Sequence, residues 1–451
     1  MDLRQVFFYV MHTTCIDPLV IRQGWKMTFP QQNNFSITVE KQNPANITKA
    51  SFPLRYGTYS EIRTSDYEFR FNLSGEIKFI RGLNTNWPHP AEQLKRTDGN
   101  DWVYYSVGDQ SGEDGLISWM GEYYLPCLPY PSNPVWEVNY VANPNIMHGF
   151  AAWSQLYADL YGAKENRQHP RARDLIIRIL EHDDRVLHER SQHLHTIIGE
   201  RVSVLPPDTR HVDYEIIPLM IADGCLYHCD FCCVKTLQRF RVRSDTDILD
   251  QIRRLKDFYG RNLENYNALF LGNHDALAAG ADRIHWAVCE ADNAFRLSDS
   301  RPTTPMLYFF ASVDSFLRST HQLFEKLNQL PFYTFINIGF ESADPSTLAF
   351  IGKPVSAPKV REVFCKMNEI NAAFTNIEIT GNFLIGTTLS PDHYQALEEL
   401  LGSAPTPPKG KGAIYLSPIK DSPKKRELLP QFLEIKQHSR LPVYIYLIQR
   451  L

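Results

Sequence analysis

No run of about 18 apolar residues, the length a membrane-spanning helix needs, occurs in the 451-residue chain. The start, MDLRQVFFYVMHTTCID, lacks both a cationic leader region and a cleavage site, so it does not read as a signal peptide. Neither sign of charge is in excess. Lys and Arg number 47 against 51 Asp and Glu, a formal net charge of −4, so no global basic field draws the chain to nucleic acid or to a membrane. A disulfide framework is missing too: the eight cysteines include four packed between residues 224 and 233. The expected compartment is reducing, hence cytoplasmic. Asn34, Asn46 and Asn72, each in an Asn-x-Ser/Thr triplet, therefore read as chance. No internal repeat is found, and the one biased segment, 404–412, reads as a loop.

What is present divides in two. Residues 1–205 read as a β-rich and helical domain of unknown role, a site for docking substrate or a partner. Tyr67–Leu73 and Ile77–Ile80 alternate around Ser74-Gly75, a hairpin signal. Trp102–Val107 and Val135–Val141 read as further strands, and Phe150–Leu160 and Ala172–His195 as helices with apolar residues at three- and four-residue steps. Trp87, Trp102, Trp119, Trp136 and Trp153 read as aromatic core. Leu205–Asp208 reads as a linker.

Residues 206–451 then alternate strand and helix. Expected strands are Glu215–Ile221, Ala268–Leu271, Met306–Ala311, Phe335–Phe340, Ile377–Ile385 and Ala413–Ser417. Helices are expected over Thr246–Tyr259, Ala281–Phe295, Asp314–Leu330, Pro345–Phe350, Val360–Asn371 and Pro391–Leu401, with a last helix and strand at Phe432–His438 and Val443–Ile448. This rhythm predicts an α/β fold, a partial (β/α)6 TIM-like barrel with right-handed crossovers. Active residues of such sheets gather at the strands' C-terminal ends.

The segment GCLYHCDFCC follows the first of these strands. Cys225, Cys229 and Cys232 stand four and three apart in one loop, which suits three thiolates converging on one inorganic centre. A structural zinc site wants four protein ligands, often from two CxxC pairs, and Cys15, Cys127, Cys289 and Cys365 are isolated. Cys233 adjoins Cys232, and neighbouring side chains rarely face one ion.

Cys225-Leu-Tyr-His-Cys229-Asp-Phe-Cys232 resembles the CxxxCxΦC signature of the radical S-adenosylmethionine (SAM) superfamily, in its elongator-, methylthiotransferase- and cobalamin-associated class. The resemblance spans roughly residues 214–419. It implies that the three cysteines hold a [4Fe–4S] cluster whose fourth iron takes the amine and carboxylate of SAM, with Phe231 near the adenine. Phe270-Leu-Gly272-Asn273-His274 stands where the family has a turn holding the methionine amine, and departs from it at Asn273 and His274. Ser312 directly follows the third strand. Ile336-Asn-Ile-Gly-Phe-Glu341-Ser-Ala343 is similar to a Gly-x-Glu-Ser-Gly segment, and Ile379-Thr-Gly381 to a glycine-rich strand beside adenine. By this resemblance Phe231, Gly272, Asn273, Ser312, Glu341 and Gly381 contact SAM.

The implied activity is reductive cleavage of SAM to a 5′-deoxyadenosyl radical that abstracts hydrogen from an unknown substrate, the electron arriving from a flavodoxin or ferredoxin. No auxiliary cluster is expected, which argues against methylthiolation. Without an Asp-x-His-x-x-Gly in the first 200 residues, no His-on cobalamin module is expected either. Two alternatives stand beside this: a non-catalytic protein stabilised by iron–sulfur or zinc, and a radical SAM enzyme modifying tRNA. In the latter Arg239, Arg241, Arg243, Lys409, Lys411, Lys424, Lys425 and Arg426 would meet phosphates, a reading not favoured because charge runs are usually solvated faces. Arg241 and Arg243 could instead pair with carboxylates of SAM or substrate.

Overall fold

The computed structural model describes residues 25–29, 35–43, 57–83, 93–105, 124–126, 143–165, 169–212, 215–232, 234, 236, 238–406, 410–419 and 428–446. Cys15, Cys127, Cys233, Trp87, Trp119, Trp136, the strand expected at 135–141, and Lys409, Lys424, Lys425 and Arg426 lie outside them.

Eight antiparallel strands form the first sheet in sequence order: β1 (Trp25–Phe29), β2 (Phe35–Gln42), β3 (Thr58–Arg63), β4 (Tyr67–Phe71), β5 (Ile77–Gly82), β6 (Gln93–Arg96), β7 (Trp102–Tyr105) and β8 (Tyr124–Pro126). The expected β4–β5 hairpin is present, and Asn72 shapes its turn by accepting from the amides of Ser74 (3.1 Å) and Glu76 (2.9 Å). Alternation puts Phe69 and Phe71 on one face, where Trp153 of helix α1 (Pro144–Ala163) packs 6.0 and 5.6 Å from their rings. The helix expected over Ala172–His195 is two, α2 (Pro170–Leu180) and α3 (Asp184–Ile198). Asp183 breaks it by capping α3, its carboxylate accepting from the Val186 amide at 2.8 Å.

The opposite face of this sheet is charged yet buried. Glu215 accepts from Lys95 Nζ and from Tyr59 Oη, both at 2.8 Å. Asp98 pairs with Lys78 and accepts from Tyr266 Oη at 2.8 Å, and Arg190 reaches Glu76 at 2.8 Å. Asn265 hydrogen-bonds both the amide and the carbonyl of Thr58, at 2.7 and 2.9 Å. This polar layer seats the first sheet on residues 215 and 262–266.

The second sheet is all parallel, in the order β17-β16-β15-β14-β13-β12-β9. Its strands are β9 (Ile217–Pro218), β12 (Ala268–Phe270), β13 (Met306–Ser312), β14 (Tyr333–Glu341), β15 (Ile377–Ile385), β16 (Ile414–Pro418) and β17 (Val443–Ile445). The six alternating strands expected are present, and the last strand, expected over Val443–Ile448, joins them as β17. Every residue of β15 is buried, Glu378, Thr380 and Asn382 among them, as in a strand covered on both faces. A small ladder, β10 (Ala222–Asp223) with β11 (Arg241–Val242), sits beside the first strand.

Connecting helices include α4 (Asp245–Tyr259), α5 (Ala281–Phe295), α8 (Pro345–Phe350) and α9 (Ala357–Ala373). Between them the helix expected over Asp314–Leu330 is interrupted, giving α6 (Val313–Arg318) and α7 (His321–Gln329). Lys366 of α9 causes the break: its ammonium donates to the carbonyls of Phe316, Leu317 and Ser319 at 3.0, 3.0 and 2.6 Å, ending α6. Helices α10 (Pro391–Gly402) and α11 (Leu428–His438) complete the chain, and no helix among the described residues is long and apolar enough to cross a membrane.

Leu205–Asp208, expected as a linker, is instead buried inside the fold. Tyr446 donates to the Leu205 carbonyl, Tyr415 to Asp208 Oδ1 at 2.5 Å, and Tyr308 to the Asp208 carbonyl at 3.4 Å. Those tyrosines come from β13, β16 and the end of β17, so the segment lies across one face of the parallel sheet.

Candidate metal and cofactor site

The β10–β11 ladder pinches off the loop that carries the cysteines. Gly224 enters it at φ +73°, and a Cβ there would stand 2.5 Å from the Arg239 carbonyl oxygen, so only glycine fits. On the far side, the Asp230 amide donates to the Ile351 carbonyl at 3.0 Å, tying the loop to the turn after α8. Tyr227 adds a third tie, its hydroxyl donating to Asp314 Oδ2 at 2.7 Å. Three separate elements thus hold a short loop at the C-terminal ends of the parallel strands.

Cys225, Cys229 and Cys232 line one cavity of about 210 Å³. A structural zinc takes four protein ligands, whereas this loop brings three thiolates to the cavity, and a cube gives each of three thiolates its own iron, so the donor set fits a cluster better than one ion. Burial pushes the Cys225 and Cys229 thiols up, opposed by the Lys353 ammonium, so without a metal they are neutral thiols and poor nucleophiles.

Phe231, Asn273, Ser312 and Glu341 line the same cavity. Glu341 sits at the end of β14 in the left-handed region (φ +68°), a conformation costing about 1–3 kcal/mol. It is buried with Lys353 Nζ 3.5 Å from its carboxylate, and burial raises its pKa. Ser312 is occupied in capping α6, accepting from the Ser315 amide at 3.0 Å. Asn273 reaches back to the Arg201 carbonyl at 3.1 Å, while its buried Oδ1 has no partner among the described residues. Gly272 and Gly381 are not in the wall. Gly272 turns the chain before Asn273, and Gly381 faces the Phe340 ring, on the opposite side of β15 from Asn382.

Sequence reasoning missed Asp275. It lines the cavity 4% exposed, Oδ1 accepts from Ser315 Oγ at 2.7 Å, and buried Oδ2 has no partner among the described residues. Burial raises its pKa, neighbouring serines opposing, and a cation brought beside it would lower it again. The signal was one residue beyond the atypical Asn273-His274 pair.

The basic residues are accounted for differently. Arg241 and Arg243 pair with Asp223 at 3.1 and 2.6 Å, holding the ladder rather than facing the cavity. Lys411 is buried, its ammonium donating to the carbonyls of Phe374, Thr375 and Ile377 at 2.6, 2.9 and 2.8 Å, so it is no phosphate contact. Arg239 lies exposed outside the cavity wall.

No family model matches the chain, and no curated protein matches it. Solved structures similar to it at low identity include the cobalamin-dependent SAM radical enzyme OxsB (16% identity, TM-score 0.33, 53% of this chain and 33% of that one). Others are a radical SAM methyltransferase from Sphaerobacter thermophilus (10%, 0.35, 51% and 65%) and the radical SAM enzyme HemN from Escherichia coli (11%, 0.35, 57% and 56%). The chain therefore spans only a third of OxsB and less than two thirds of the other two. In its cysteine motif and in that motif's place at the strand ends, the chain resembles the radical SAM superfamily and no single family within it.

Proposed function

We propose that this chain is a radical SAM enzyme, its parallel sheet curling as a partial barrel around the cavity. The observation that carries the reading is three cysteines, spaced 225, 229 and 232, sharing one cavity at the strand ends. Cys225, Cys229 and Cys232 would hold the cluster, whose fourth iron is left for SAM. When bound, the cluster supplies the low-potential electron that reductive cleavage of SAM requires.

The chain's own residues do the rest. Asp275 and Asn273 line the cavity, and their buried oxygens, unpartnered among the described residues, would accept from an ammonium group. Glu341, held by Lys353, would accept from hydroxyls such as those of a ribose. Phe231 packs with Leu384 and Ile419 to form an apolar wall suited to a purine ring. Buried walls exclude water from the reacting centre. A flavodoxin- or ferredoxin-like carrier would deliver the electron.

Anaerobic purification, reconstitution with iron and sulfide, reduction with dithionite and assay of SAM cleavage test this. Methionine and 5′-deoxyadenosine should form together, and C229A should form neither. A reduced, fully loaded cluster that leaves SAM intact would refute the enzymatic reading.

A further inference from the structure

Two separate apolar patches border the one cavity. The first, Leu384 and Ile419 with Phe231, is the purine wall just described. The second is separate from it: Val204 and Tyr446 pack with Tyr415 and Ala413, and Phe310 and Val234 lean on them. Of these, Val204, Val234, Phe310 and Tyr446 line the cavity.

The second patch shows carbon, not polar atoms, to that space. Tyr446 spends its hydroxyl on the Leu205 carbonyl, leaving its ring as wall. Phe310 stands on β13 two residues below Ser312, so its ring lies on the same face but deeper than the strand end. The charged residues in the described wall belong to the cysteine side. Asp275 acts on Cys225, and Glu341 and Lys353, paired with each other, act on Cys229. The other described polar wall groups include Asn382, Ser417 and His274, whose imidazole burial holds neutral. A carboxylate or phosphate driven onto this patch would lose its water without gaining a cation among the described residues.

We propose that this second patch is the substrate subsite and that it takes an uncharged, largely hydrocarbon group, hydrogen-bonded at its edge by Asn382 or Ser417. The inference rests on the radical SAM reading, since it assigns the remainder of the cavity once SAM has taken the cysteine side. Any charged part of the substrate then stays off this patch, and a nucleotide phosphate does not enter it.

Nile red, a neutral apolar dye, serves as the probe on the reconstituted enzyme. It should bind saturably with blue-shifted emission, and F310D should weaken it about tenfold or more while SAM binding changes less than about threefold. S417K, at a half-buried position, should act in the same direction if F310D does not fold. Dye binding unchanged in the folded variants, or AMP displacing the dye as well as a neutral hydrocarbon alcohol does, overturns the proposal. Dye binding as expected in a protein that fails to bind SAM would instead refute the radical SAM reading and leave the apolar subsite standing.

Discussion

Single residues carry the chemistry, and the sequence exposes only some of them. The cysteines were legible because spacing alone constrains which thiolates can share a centre. Asp275 was not, because its importance lies in an unpartnered oxygen that only the folded wall reveals. The account expects D275N to keep the iron content of the wild type and to weaken SAM binding roughly tenfold to a hundredfold, the worth of a charged hydrogen bond. Equilibrium binding to the reconstituted protein measures it, and unchanged affinity removes Asp275 from the site. Glu341 was legible as a residue but not as a strained one, since a left-handed backbone at a non-glycine leaves no mark on composition.

At the scale of elements, strands were easier to read than helix ends. Buried parallel strands such as β13 are almost wholly apolar, so their extent is written in local sequence. Helix breaks at Asp183 and at Ser319 depend on a cap and on a lysine 47 residues away in sequence, which periodicity does not register. K366M should leave three carbonyls unmet and cost about 1–3 kcal/mol, seen as a lower urea midpoint. The turn after α8 offers a sharper test, because it grips the cysteine loop. Gly352 has φ +64°, and a Cβ there would stand 2.4 Å from Asp230 Oδ2. G352A should therefore lose bound iron on dilution faster than wild type while its melting temperature falls by only a few degrees. Equal iron retention would show that the turn does not hold the loop.

The whole molecule joins its two sheets through buried charge, which composition hides: the same lysines and glutamates would suit a solvated face. K95M leaves Glu215 buried with one partner fewer, and should cost about 3–5 kcal/mol. Acid should act on the same layer. Burial alone would raise Asp98 and Glu76, but Lys78 above all for Asp98, and Arg190 with Arg96 for Glu76, hold both below the usual carboxylate range. Their contribution is complete above the unfolded value near 4 and is lost as pH falls through the depressed folded values. Melting temperature should thus drop below about pH 4, and less steeply in K78M. The buried course of residues 205–208 belongs to this scale as well: two prolines and an aspartate look like a linker until three tyrosines close over them.

The central claim is a three-thiolate cluster with one position left for SAM, and electron paramagnetic resonance of the reduced, reconstituted chain addresses it most directly. The account predicts about four irons per chain and a [4Fe–4S] signal that changes on adding SAM. One bound metal per chain, or a cluster signal indifferent to saturating SAM, would contradict it.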